Sequence, residues 1–288
     1  MMKKRFLKRR ISRSVGGDAA LTLFLLLVGC IMGVPLVFAI SMALKSPYEF
    51  WLFPPTFFPR NPTLKNFSDL FTVMSESWVP MSRYLFNSLF ITVAGTLGHI
   101  ILASMAAFVL SKYQFPGTKF LFAIVQGSLM FSTAVTGIPS HLILTRLGMI
   151  DTYWALIIPA MGSSLGLFLM KQFIDQMVPS SVIESAEIDG ASLWCKFLYI
   201  VMPMVKPAWL TLMIFSIQAL WGIGGTSYIY SEQLKTFPYA LSQLATSGIA
   251  RAGVGAATTI ILLFVPLSVF IVSQSNIIET MSASGIKE

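Results

Sequence analysis

The sequence predicts an all-α integral membrane protein with six transmembrane helices. Three observations carry that prediction. Of 288 residues, 55% are hydrophobic and only 11% are charged, whereas a soluble domain carries roughly 25% charge. A chain so poor in charge cannot cover a water-facing surface. Six segments reach about 20 largely apolar residues, the length that crosses a hydrocarbon core. None of the six contains Asp, Glu, Lys or Arg. The 23 Phe and 16 Met suit lipid contact and adaptable helix packing.

The first segment, residues 19–42, is interrupted by Pro35. It follows Lys3, Lys4, Arg5, Lys8, Arg9, Arg10 and Arg13, seven of the 20 basic residues. The net charge of +8 is therefore concentrated in a cytoplasmic anchor, residues 1–18, and does not indicate nucleic acid. Leu27-Val28-Gly29-Cys30 resembles a lipoprotein signal, and Ser41-Met42-Ala43 a signal-peptidase site. The run is long for a signal and more spans follow, so a first transmembrane helix is expected. Cys30 lies in that apolar run and Cys195 in a predicted cytoplasmic loop, so no disulfide is expected. The first outer loop, residues 45–83, is rich in Pro and aromatics, among them Trp51, Phe53, Pro54 and Phe57. It is expected at the outer interface or over the first helix pair.

The second span is expected at 84–110 and the third at 120–138. The fourth is expected at 153–170. The fifth, at 208–229, has a glycine-rich end at Gly222, Gly224 and Gly225. The sixth, at 253–272, contains Pro266. Six spans put both termini on one side. With the N-terminus inside, the inner segments hold 13 basic residues and the outer ones seven, which makes both termini cytoplasmic by the positive-inside rule. The predicted division is a basic N-terminus (1–18), a six-helix transmembrane domain (19–275) with a cytoplasmic loop at 174–207, and a C-terminal tail (276–288).

The spans lack the ionisable groups that ion-coupled transporters carry. His99 is expected to be a packed, hydrogen-bonded residue. No metal-ligand cluster, G-x-S-x-G or phosphate loop is present, and the chain contains no Gly-Lys pair. An energy source, if the chain pumps, must lie on another subunit.

The loop between the fourth and fifth spans has readable local physics. Ser181 and Glu184 have capping-box spacing, Pro179 stops the preceding helix, and Gly190 stands where a left-handed cap is expected. Leu193, Phe197, Ile200 and Val201 then recur at helical spacing, and Pro203 and Pro207 bound the second helix. An interfacial helix pair lying on lipid headgroups would not need Glu184, Glu187 and Asp189 on its first helix, because the inner leaflet is anionic. A protein partner with basic groups fits better.

Glu184-Ser185-Ala186, followed by Asp189-Gly190-Ala191 and by Ile200-Val201-Met202-Pro203, resembles the E-A-A-x-x-x-G loop and I-x-L-P of ABC importer permeases. Ser185 and Met202 are its departures from that pattern. The resemblance extends to Asn87-Ser88, Phe115-Pro116-Gly117, Arg146-Leu147-Gly148 with Asp151-Thr152, residues 235–241 and the tail from Gln274. Together these look like carbohydrate-importer permeases of the kind that includes the maltose transporter's smaller membrane subunit.

The resemblance implies the type I importer permease fold and a non-catalytic transport subunit in a bacterial cell membrane. It implies a second, different permease subunit, two cytoplasmic ATPases that hold the ATP and Mg, and an extracytoplasmic solute-binding protein. No cofactor would be bound by this chain. Glu184, Ser185, Ala186, Asp189, Gly190, Ala191 and Pro203 would form the ATPase-coupling element, and Gly285 and Lys287 in the tail would touch the ATPase pair. Asn87, Gln126, Gln218, Trp221, Thr226 and Tyr228 are candidates for the substrate path. Neutral hydrogen bonders and aromatics suit a sugar, and helix-to-helix contact is the alternative role for each. An amino acid, peptide or anion as cargo is the alternative within the class, though an anion would favour basic residues along the path. A membrane scaffold that binds a partner through the acidic loop is the alternative outside it.

Overall fold

The computed structural model describes residues 15–75, 78–224, 227–245 and 252–284. Every regular element among them is helical. Helix α1 (Val15–Leu44) is apolar all round and exposed along most of its length, the pattern of a helix facing lipid. It lies beside α13 (Ala252–Ser284). The first outer loop is pinned to the end of α1. Ser41 Oγ donates to the Phe57 carbonyl and Lys45 Nζ to that of Thr56. Glu49 accepts from the backbone of Arg60 and Asn61, at 2.9 Å each. From helix α2 (Lys65–Ser75), Asn66 Nδ2 donates to the Ala43 and Lys45 carbonyls, at 2.7 Å each. Those carbonyls are helix-end acceptors without an intrahelical partner. The loop thus packs over the first and last helices, through Leu70 and Met74 against Val254 and Ala257, with Ala43 and Tyr84 in the same apolar cluster.

Helix α3 (Met81–Lys112) is the centre of the bundle. It buries a stripe of Asn87, Ser88, Thr92, Thr96, His99 and Ser104, interleaved with Gly95, Ala103 and Ala107. Small and polar residues at helical spacing let membrane helices approach closely. A Cβ on residue 95 would fall 2.6 Å from Leu220 Cδ1.

The expected third span is not one helix. Helix α4 (Thr118–Ser128) ends where Ser128 Oγ turns to the Val125 carbonyl and the Ser164 hydroxyl, and α5 (Thr133–Arg146) restarts after Ser132. At 1.5 Å per residue α4 is about 17 Å long, short of the roughly 30 Å core. The fourth segment is two helices, α6 (Trp154–Met161) and α7 (Ser164–Met177), with a break at Gly162 and Ser163. After α8 (Ser180–Ile188) and α9 (Leu193–Cys195), a π-helical stretch (Lys196–Val201) leads into α10 (Met202–Met204). Pro203 follows that stretch. Its ring cannot sit against the carbonyl four residues back, so the ladder widens there. The chain then bends by 80° into α11 (Lys206–Trp221). The fifth expected span was to reach residue 229, but α11 stops at Gly222, and α12 (Phe237–Ala245) follows an irregular segment.

Among the described residues, four helical stretches are long and apolar enough to cross a membrane, Gly16–Leu44, Met81–Lys112, α6 with α7 taken together (Trp154–Met177) and Ala252–Gln274. Counting the bent pair Leu193–Met204 and Lys206–Trp221 as one span gives five.

Candidate functional site

Helix α8 starts at Ser180 after Pro179, with no side-chain cap. The expected capping box does not form. Ser181 lies inside the first turn, where its carbonyl accepts from Ser185 Oγ at 2.8 Å, and Glu184 is too far along to reach the helix start. The other end is as expected. Gly190 has φ +76°, its N–H donates to the Glu187 carbonyl at 3.0 Å, and the Ala191 N–H donates to that of Ala186 at 2.9 Å. This is a Schellman motif, and only glycine takes that φ without strain. Ser192 then caps the next helix by accepting from the Cys195 N–H.

Glu184, Asp189 and the 88%-exposed Ile188 share the outer surface of α8. Ser185, Gly190 and Pro203 are exposed as well. Ala186 is buried with Ile183, so it cannot meet a docking partner as the resemblance implied. Its small side chain instead sets how closely α8 packs on the protein. Glu187 also differs from its acidic neighbours. Its carboxylate accepts from the buried Lys196 Nζ at 2.6 Å and from Tyr113 OH at 3.4 Å. The hydrogen bond from Lys196 holds its carboxyl below the ordinary value of 4.5. Ile183, Phe197, Val201 and Val205 join Ile100, Phe108, Ile174 and Leu212 in one apolar core. The helices on both sides of Gly190 are therefore seated on the ends of α3, α7 and α11.

The path candidates separate. Asn87 is fully used by the protein. It donates to the Gln233 and Lys235 carbonyls at 2.8 Å each and accepts from Tyr153 OH at 2.7 Å. Trp221 is buried, with Nε1 donating to the Leu262 carbonyl at 2.9 Å. Both are structural, because each spends its polar groups on holding the irregular segment or α13. Gln126 and Gln218 are exposed on α4 and α11 and do not line the cavity described next. Thr226, Gly285 and Lys287 lie outside the described residues.

Tyr228 does reach a cavity of about 450 Å³, half open to the surface, between α5, α6, α7 and α11. Its ring stacks on His141, centroids 5.9 Å apart. His99 also lines the cavity and is packed and hydrogen-bonded, as expected, with Nδ1 2.6 Å from Ser216 Oγ.

Sequence reasoning named Asp151 only within the resemblance and gave it no role. It takes φ +62°, and its carboxylate accepts from the Tyr230 N–H at 2.9 Å, the Ser231 N–H at 2.8 Å and Ser231 Oγ. Its own N–H donates to the Tyr228 carbonyl. The Ser231 hydroxyl contributes most to holding its carboxyl below 3.8. The Gly148-x-x-Asp151 turn signal marks the site, but its partner some 80 positions away leaves no mark in the sequence.

A bundle of long apolar helices with a short surface helix defines a polytopic membrane protein. No family model matches the chain. It is 31% identical over 226 residues to Protein LplC of Bacillus subtilis, covering 77% of this chain and 72% of that one. It is 35% identical over 156 residues to the polygalacturonan/rhamnogalacturonan transport system permease protein YtcP of the same organism, covering 54% of each. In fold it resembles a chain of a bacterial ABC transporter involved in the import of the acidic polysaccharide alginate. The TM-score is 0.76 at 18% identity, over 91% of this chain and 98% of that one. The chain belongs to the permease subunits of ABC carbohydrate importers.

Proposed function

We propose that this permease is one of two different membrane subunits of a binding-protein-dependent importer, and that α8 is its dock for a cytoplasmic ATPase. The observation that carries the docking role is the seating of α8. Its exposed face offers Glu184, Ile188 and Asp189, while Ile183 and the Glu187–Lys196 pair tie it to the ends of three membrane helices. A push on that face is delivered to α3, α7 and α11 as to one body, because packed cores shift as units rather than deform continuously. ATP and Mg are held by the two ATPase subunits, and a binding protein outside the cell delivers the carbohydrate, which crosses by alternating access.

Six crossings follow if α4 with α5 form the third as a broken span, α6 with α7 the fourth, α11 the fifth and α13 the sixth. Non-helical backbone at membrane depth is tolerated where it lies inside protein or lines a cavity. Residues 1–18 and the tail 276–288, with Gly285 and Lys287, then lie in the cytoplasm of a bacterial cell, flanking the permease domain at 19–275. Coupling residues are Glu184, Asp189 and Gly190, with Ser185 and Ala191 shaping the helix and its turn, and Pro203 the route to α11.

The test is co-purification with the ATPases and second permease encoded beside it, with carbohydrate uptake measured in proteoliposomes. Glu184→Lys is expected to weaken ATPase association, and Gly190→Pro to abolish uptake. Wild-type behaviour of both would sink the docking role.

A further inference from the structure

We infer that residues 53–59 of the first outer loop form a wedge that inserts into the lipid of one leaflet, beside the C-terminal end of α1. That leaflet is the outer one in the topology proposed above. The inference goes beyond the importer reading and does not depend on it, since it concerns how the chain sits in the bilayer.

The path of the chain sets the depth. After Leu44 the loop doubles back along α1. The Phe57 carbonyl accepts from Ser41 Oγ, and the Phe57 ring centroid lies 5.4 Å from that of Phe38. At 1.5 Å per residue, Phe38 stands about 9 Å back along the helix from Leu44. The chain then returns, and the Thr63 N–H donates to the Leu44 carbonyl at 2.8 Å. Interfacial segments bury their apolar face about 5–10 Å into the boundary between headgroups and acyl chains. The wedge also continues an existing surface, because α1 beside it is exposed and apolar.

The backbone is fitted to a place short of water, where unpaired N–H and C=O groups are excluded. Pro54, Pro55 and Pro59 have no N–H to satisfy. The carbonyls of Thr56 and Phe57 accept from Lys45 Nζ and Ser41 Oγ. Lys45 is buried, so its ammonium is spent on the loop. Glu49, the only acid between residues 46 and 60, is buried as well and accepts from the Arg60 and Asn61 amides. The wedge itself carries no charge and presents Phe53, which is 94% exposed, with Phe57 and Phe58. Tyr48, Trp51 and Arg60 stand exposed at its two ends. Amphipathic rings and a cation are the groups that settle among headgroups. A protein arriving from the water would have to reach past the end of α1 to touch Phe57.

The experiment uses the full chain in liposomes, alone and in the assembled transporter. Cys30→Ser and Cys195→Ser remove the native thiols, and Phe53→Cys, Phe58→Cys or Leu64→Cys then carries a bimane label. Leu64 is exposed and follows the Thr63 contact at the end of α1, so it marks the shallow limit. The quenchers are iodide in the water and a phospholipid with a nitroxide near the top of its acyl chain. The nitroxide is expected to quench the labels at 53 and 58 roughly threefold more than the label at 64, and iodide to show the reverse order. Equal iodide quenching at 58 and 64 overturns the inference. Protection of 58 from both quenchers in the assembled transporter also overturns it, because a second subunit then covers the wedge. Loss of nitroxide quenching when the binding protein is added does the same. Trp51→Phe gives a check without labels. It should lower the share of tryptophan fluorescence that brominated phospholipid quenches, and an unchanged share counts against the wedge.

Discussion

Lys196 Nζ lies 2.6 Å from the Glu187 carboxylate, joining the helix before the Gly190 turn to the one after it. The lysine is buried and stands 5.5 Å from the centre of the Tyr113 ring, in the loop after α3. Three segments meet at this one cation. Glu187 is a positioning residue that leaves Glu184 and Asp189 free to face a partner.

Lys196→Met should therefore loosen α8 without touching its exposed face. Uptake is expected to fall about two- to tenfold, with ATPase association weakened less than by Glu184→Lys. The charge-swapped double variant, Glu187→Lys with Lys196→Glu, should recover part of the loss, as contacting residues do in a double-mutant cycle. Because the Glu187 pKa is depressed, the pair is intact above the ordinary 4.5 and is lost only as pH falls through the lower folded value. Coupling should be flat at neutral pH and fail in acid. Loss of coupling between pH 6 and 8 would count against the pair.

At Gly190 the φ of +76° sets the cost of a side chain. Gly190→Ala is expected to destabilise the turn by about 1–2 kcal/mol, and Gly190→Asn by less, since Asn tolerates the left-handed region. Protease susceptibility of the 188–192 turn reads this directly. Equal effects of Ala and Asn would refute it.

For Asn87 the structure predicts a folding defect rather than a substrate defect. Asn87→Ala leaves two carbonyls and the Tyr153 hydroxyl without their partner, a cost of about 1–3 kcal/mol. The thermal midpoint in detergent should drop, while the KM for uptake by the protein that remains folded stays unchanged. A changed KM with an unchanged midpoint would return Asn87 to the substrate path.

Asp151 should control the order of the irregular segment before α12. Asp151→Ala removes acceptors from the Tyr230 and Ser231 amides. Hydrogen exchange at those amides is expected to speed up by roughly tenfold, the effect of about 1.4 kcal/mol of local opening. With its carboxyl held below 3.8, the clasp is present above that ordinary value and is released as pH falls through the lower folded pKa. Exchange that accelerates between pH 5 and 7 beyond the intrinsic rate would exclude this role.

The membrane class and the two helices around Gly190 were legible in the sequence because both depend on local chemistry. Apolar length needs only composition, and Pro179 and Gly190 act on their own backbone dihedrals, so helix α8 and its turn fall where expected. The third span was misjudged for the opposite reason. Hydropathy runs unbroken through 120–138, and the break at 129–132 comes with the turn of Ser128 toward Ser164, a partner supplied by packing. Ser181 and Glu184 had capping spacing, but the helix already starts after Pro179, two residues too early for Ser181 to be its cap. Residue type alone could not divide Asn87 and Trp221, which hold the scaffold, from Tyr228, which faces the cavity. Nor could it find Lys196 beneath Glu187 or Ser216 beside His99. Side chains on different helices acquire roles only when tertiary packing decides which polar groups meet, and a lone sequence carries no term for that distance. What the sequence determined by itself was the membrane class of the chain and a short acidic helix that ends at Gly190. Tertiary structure alone decided that Lys196 ties this helix to the next and that Ile183 seats it in the core shared with α3, α7 and α11, because only packing brings those residues together.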